Sequence, residues 1–369
     1  TFEIFQDGLY RLDYATLVNA GIPVATFQSE NIQLFGKEKE IPVLIEDGGD
    51  NTFDPGDYLV FYAEKNSYWL DSLFYDDPAD IGNPGYNLYN DTLHYFFTWN
   101  SSSNNLRFTQ ESDVNFSNYS SIANYIWYSS KLNINTHYYE GKQDPNVSSS
   151  FYTRGEGWAE QHKDGVSGSY SPTVLNVPTP NPYVGVGAPN AIFSGRSVST
   201  NDAATVGFSS PNHHVRWLFG TSNTLLLDTT WKGYDQIRCD EIVSNSLLSN
   251  GTTPVTYRII NDLSVATDRQ SFQYLSLDYA RQTDFNGGNE LTFKVENDPQ
   301  GKIRLDFTNT GTMNPIVMVF GSAPRIVPFV PNGGSYSMLI PNSTNGVNQE
   351  VIVKDISSIQ DVTELSPVN

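Results

Sequence analysis

The sequence predicts an all-β chain with one short helix, organised as a small N-terminal β domain over residues 1–105 and a β-sandwich, jelly-roll-like region over residues 106–369 with room for two sub-domains. Three observations carry this. Tyr, Phe, Val, Ile and Thr recur in short runs, the residue types that fit a pleated, half-buried surface. Gly, Pro, Asn and Ser punctuate those runs densely. The spacing of the runs is irregular and no fixed-period repeat is present, which favours a sandwich over a propeller or a repeat array.

The elements follow in order. Tyr14 to Asn19 is the one helix, with Asp13 placed to cap its first turn and Gly21 to end it. Strands are expected at Gly56–Ala63 and Leu93–Trp99, before a polar break at Ser101-Ser102-Ser103-Asn104-Asn105 that serves as the domain boundary. Beyond it, strands are expected near Tyr125–Tyr128, His213–Phe219, Gln236–Ile242, Thr256–Ile260 and Phe272–Asp278, then at Leu305–Phe307, Val317–Phe320 and Glu350–Val353.

Composition excludes several functions. With 369 residues, 38% of them hydrophobic and 13% aromatic, the chain can bury a substantial core without disulfides, and its one cysteine permits no internal bridge. A formal net charge of −20 repels phosphate backbones and anionic lipid, so neither nucleic acid nor a membrane surface is an expected partner. No run approaches the ~20 apolar residues of a membrane span, and no basic-then-apolar signal opens the chain. The start at Thr1 without an initiator Met, and an end at Asn369 without a tail motif, predict a mature or excised fragment.

The segment Asp7–Ala63 carries a Gly8-Leu9-Tyr10 opening, a Leu17-Val18-Asn19-Ala20-Gly21 turn, an Asn31-Ile32-Gln33-Leu34-Phe35-Gly36 strand, and Phe53 followed by Gly56-Asp57-Tyr58 and Phe61-Tyr62. It resembles the N-terminal, non-catalytic part of gingipain-type cysteine peptidases, nearest to the sortase-like branch attached to type IX secretion. FYTRGEGW at Phe151–Trp158, NHHVRWLFG at Asn212–Gly220 and QYLSLDYAR at Gln273–Arg281 resemble later landmarks of the same region, in the family's order; Ala280 stands where the family has proline. The resemblance implies an exported protein at the cell surface or outside the cell. Its implied partners are a downstream peptidase domain of the same chain and outer-membrane secretion components. It also implies a catalytic His–Cys pair in that domain. None of the five histidines here is followed by Gly, as the family's catalytic histidine is, and no alternating strand–helix pattern follows Phe307, so no catalytic residue is assigned to this chain.

The residues themselves offer few sites. Period-two alternation puts Cys239 on the face of Ile237, which reads as core; Asp240 raises its thiol pKa and Arg238 opposes that. His213 and His214 are adjacent on a strand, so one should face the core and one solvent, and they cannot share an ion. His94, His137 and His162 have no ligand spacing around them. The acidic turn Glu46–Asp57 offers hard oxygen donors for calcium at Asp47, Asp50, Asp54 and Asp57, though its spacing departs from an EF-hand and the same residues build hairpin turns. No other cofactor is expected. Tyr125, Trp127 and Tyr128, with Tyr138, Tyr139, Tyr152 and Trp158, are either core or a platform for sugar rings. The latter supports an alternative function as a cell-surface carbohydrate-binding or adhesin module. A carboxylate pair is the one remaining catalytic option, and the many acids single out none.

Overall fold

The structure, a computed structural model, describes residues 1–142, 151–166, 172–200, 211–260, 262–332 and 335–367. The fold is all-β. The helix Tyr14–Asn19 is the single α-helix among the described residues; Asp13 caps it by accepting from the Thr16 amide, and Gly21 follows at φ +76°. Every strand expected from sequence is present, several longer than expected: Gln236–Val243, Gly251–Ile259 and Thr267–Arg281 each extend past the predicted run.

The chain forms two compact units that interleave along the sequence. The first takes residues 1–66, 91–126 and 283–369, the second 67–90 and 127–282. A linear division at 105/106 therefore differs from the structure, and the reason is strand pairing. Leu93–Trp99 pairs with Phe2–Ile4 and Ile32–Gly36, and Thr109–Gln110 lies beside Arg325–Ile326, all within the first unit. The polar break is an internal loop of that unit, where Asn105 Nδ2 donates to the Glu30 carbonyl at 2.8 Å.

In the first unit, Phe2–Ile4, Leu93–Trp99, Ile32–Gly36 and Lys39–Glu40 make one four-stranded sheet, and Gln360–Asp361, Gly8–Asp13, Tyr58–Ala63 and Leu44–Glu46 another. Leu9, Leu44, Val60, Phe108, Ile316, Met318, Ile352 and Ile359 form a core.

The second unit is a β-sandwich. Pro172–Thr179, Gly251–Ile259, His213–Phe219 and Thr224–Trp231 form one antiparallel sheet; Gln236–Val243, Ala191–Ser199 and Thr267–Arg281 belong to the other. Alternation sends Val215, Trp217 and Phe219 inward to meet Phe193, Phe272, Leu275, Leu277 and Cys239. Trp217 touches Phe193, Tyr257 and Phe272 ring to ring, so a single side chain ties both sheets together.

Candidate functional site

Three of the four candidate carboxylates of the acidic turn accept from the turn's own backbone, and Asp54 accepts from the Thr52 hydroxyl at 3.5 Å. Asp47 accepts from the Gly49 amide at 3.0 Å, Asp50 from the Thr52 amide at 2.9 Å and hydroxyl at 2.7 Å, and Asp57 from the Asp54 amide at 2.7 Å. Those bonds hold the Asp50 carboxyl below the usual carboxylate range. Among the described residues no group of three or more His, Cys, Asp or Glu is arranged to hold a metal ion. The turn chemistry of Asp, Asn and Gly accounts for the loop.

Cys239 is buried between the sheets. Burial first, then Glu241 and Asp240, push its thiol up to about 12, with Arg196 opposing. Arg238 does not take that role; it donates to Asp80 at 2.8 Å. A neutral, enclosed thiol is no nucleophile at physiological pH.

The two adjacent histidines correct the expectation that one would be exposed, because both are buried. His213 points inward, stacks on Trp231 at 5.1 Å, and bonds through Nδ1 to Asp268 at 2.7 Å. Asp268 also accepts from the His214 amide and from Gln270 Nε2 at 2.8 Å. His214 points the other way yet is covered by two carboxylates, with Nδ1 2.8 Å from Asp262 and Nε2 2.5 Å from Asp228. Period two correctly sends the rings to opposite faces; it could not foresee acids from a neighbouring strand and a distant loop closing over the outer one.

The FYTRGEGW segment is a latch. Arg154 reaches Asp80 at 3.3 Å and Asp235 at 3.0 Å, while the Gly155 amide donates to the Asp80 carbonyl at 2.8 Å. Glu156 accepts from the Thr153 amide at 2.9 Å, and Trp158 Nε1 donates to the Asn87 carbonyl at 2.8 Å. The contacts to Asp80 and Asn87 tie residues 67–90 to this segment, Arg154 joins it to Asp235, and the Glu156 bond holds the segment's own turn. Inside that excursion Asp71 accepts from Asn87 Nδ2 at 2.7 Å and the Leu88 amide at 2.9 Å; burial pushes the Asp71 carboxyl up against those bonds.

The predicted aromatic set divides. Tyr139 is core and donates to the Ser199 carbonyl at 2.8 Å; Tyr128 packs edge-on against Tyr279 under the Arg281 guanidinium at 4.8 Å. Tyr138 and Trp158 pack edge to face at 5.6 Å. Tyr152 meets Phe74 at 5.9 Å, and Phe74 meets Tyr89 at 6.5 Å. Sequence reasoning passed over Leu73, Phe74 and Tyr89, which are exposed together with Tyr68 and Leu70. Their signal was readable: Ser67–Asn90 holds this apolar set with Asp71, Asp76, Asp77 and Asp80 and contains no Lys, Arg or His.

An all-β chain built from a strand-rich first unit and a sandwich in the second is the class this geometry defines. A solved structure aligns with this chain from end to end. Dimeric latent PorU from Porphyromonas gingivalis matches with a TM-score of 0.58 and 11% identity, covering 100% of this chain and 32% of that chain. This chain thus spans about a third of PorU, and at such identity the likeness is one of fold. The C-terminal CBM6 of LamC, a marine laminarinase from Zobellia galactanivorans, aligns with a TM-score of 0.19 and 13% identity over 41% of this chain and 98% of that one. The VP2 subviral particle of infectious bursal disease virus aligns at 0.25 and 8% identity over 95% and 78%. Neither score supports an argument. No protein-family model matches the chain, and no curated protein does.

Proposed function

We propose that this chain is the non-catalytic N-terminal region of an exported, gingipain-like cysteine peptidase of the type IX secretion sortase branch, acting as scaffold or pro-region for a peptidase domain that lies elsewhere in the parent. The observation that carries the reading is the fold likeness to PorU over the full length of this chain. It is supported by the order of the motifs at Asp7–Ala63, Phe151–Trp158, Asn212–Gly220 and Gln273–Arg281. The role is to fold with, hold or occlude the enzyme domain, and to present it to outer-membrane secretion components at the cell surface. Cys239 takes no part in chemistry, since its thiol is buried and neutral.

The test is to read the coding DNA beyond Asn369. A continuation with alternating strands and helices, a His-Gly pair and a later Cys in the peptidase frame is the expected result. A stop codon there, or a continuation without that domain, overturns the reading and leaves cell-surface glycan binding as the next function to assay.

A further inference from the structure

We propose that the solvent face of the 67–90 excursion, centred on Leu73, Phe74 and Tyr89, is a docking surface for a separate folded protein domain whose apolar centre is rimmed by lysine and arginine. Naming that domain as the parent's peptidase domain rests on the reading above; the surface itself does not.

The excursion buries Tyr75 and Ile81 but leaves other large apolar side chains in solvent. Its polar side chains Asp71, Asn83 and Asn87 are 2%, 5% and 4% exposed, while Leu73 and Tyr89 are 74% and 71% exposed and Phe74 is 42% exposed. Leaving one large apolar side chain in water forgoes about 1.5–3 kcal/mol of burial, so a segment that does this with three neighbours is shaped by something outside the fold. The face is also preorganised. The short 3-10 turn Asp71–Phe74 is pinned by Asp71 to Asn87 and by the Tyr152 amide to the Phe74 carbonyl at 2.9 Å, and the Tyr89 and Tyr152 hydroxyls meet. A rigid anchor loses little entropy when a partner covers it.

Chemistry selects the occupant. Aliphatic Leu73 beside the rings suits a protein surface and gives a sugar no face to stack on. Asp71 and Glu156 are engaged within the fold, with Asn87 and with Thr153 and Tyr138, and are not free for a sugar's hydroxyls. Of the acids of Ser67–Asn90, Asp71 is buried and Asp80 is paired with Arg154 and Arg238, which leaves the exposed Asp76 and Asp77; these disfavour anionic lipid and nucleic acid and would set like charges together across a two-fold pairing of copies. A basic rim complements Asp76 and Asp77, both exposed.

The experiment uses the full parent chain in its native host, carrying the photo-crosslinking residue p-benzoylphenylalanine at position 73 or, as control, at position 186, where Val186 is 99% exposed. The expected result is a link from position 73 to a peptide outside residues 1–369, with lysine or arginine flanking it, at least about tenfold above the control, and weakened at least about threefold by Asp76→Lys with Asp77→Lys. Equal yields at both positions overturn the surface. So does a link into residues 1–369 of a second copy, or loss of the link on adding a soluble β-glucan. A specific link to a basic-rimmed domain that is not a peptidase keeps the surface and removes the function proposed above, so the two fail separately.

Discussion

Replacing His214 by glutamine tests the charge cluster on the outer side of the His213–Phe219 strand. Both ring nitrogens face carboxylates, Asp262 at 2.8 Å and Asp228 at 2.5 Å, and a carboxylate only accepts, so both nitrogens must carry hydrogen and the ring is an imidazolium. Burial pushes the His214 pKa down, the bonds to Asp262 and Asp228 push it up, and the balance lies above the ordinary histidine value. Asp228 moves the other way, held low by His214 and Arg216 against burial. A histidine whose folded pKa exceeds its unfolded value of about 6.5 contributes stability that is complete below that value and fades as pH rises through the folded pKa. The carboxylates are 35% and 53% exposed, so water screens each contact to about 0.5–1 kcal/mol, or about 1–2 kcal/mol for the pair. In a unit of this size that corresponds to roughly 2–8 °C in Tm. The assay is urea unfolding, followed by tryptophan fluorescence, of the wild type and His214→Gln from about pH 6 to about pH 9. The stability gap should be widest near pH 6 and close as pH rises. A gap that is constant or grows with pH would refute the imidazolium clamp, and Asp262→Asn should reproduce about half of the loss at pH 6 with the same slope.

Arg107 donates to the carbonyls of Ser29, Glu30 and Ile32 at 3.3, 3.0 and 2.6 Å, and burial holds its pKa below the usual guanidinium value. Arg107→Ala should cost about 2–4 kcal/mol in chemical unfolding by leaving those carbonyls unmet, and a loss under about 0.5 kcal/mol would show that water replaces the clamp. Cys239 should resist a disulfide reagent at pH 8 in the native state and react fully in denaturant, since its thiol is buried and pushed up to about 12; rapid native labelling would contradict its place in the core. Millimolar calcium or EDTA should leave Tm within about 1 °C, because the Asp47, Asp50 and Asp57 carboxylates bond to backbone amides; a rise of several degrees with calcium would place a cation at that turn.

Local features were legible in the sequence because their causes are local. Asp13 and Gly21 bracket a helix that needs only neighbouring residues to form, and the strands follow from alternation within a few positions. Cys239 read as core for the same reason. The division into units was not legible, because it depends on which strands pair, and Tyr95 to Phe2 or Gln360 to Tyr10 are pairings between residues far apart in the sequence. His214 failed similarly: a period-two pattern gives a direction, not what closes over the end of the side chain. The exposed face at Leu73 and Tyr89 lay in a stretch rich in turn residues, where neither period applies and apolar residues carry no assigned side.

The family echoes acquire a physical meaning once placed. Gly155 in FYTRGEGW has φ +76°, and a Cβ there would come within 2.5 Å of Val198; Gly220, closing NHHVRWLFG, has φ +69° with the Leu247 carbonyl 3.0 Å from any Cβ. Gln273, opening QYLSLDYAR, donates to the Gly155 carbonyl at 2.5 Å, so the third motif holds the first. Arg154 and Trp158 fasten the 67–90 excursion. These residues are recognisable because the backbone demands them: a left-handed glycine, a buried amide and a paired arginine have few substitutes in the same geometry. They therefore certify an architecture, in keeping with a match that is one of fold at 11% identity. A binding module on this scaffold would need the same latches. What distinguishes function must lie in residues the latches leave free, and the exposed side chains of Leu73, Phe74 and Tyr89 on the 67–90 excursion are among them.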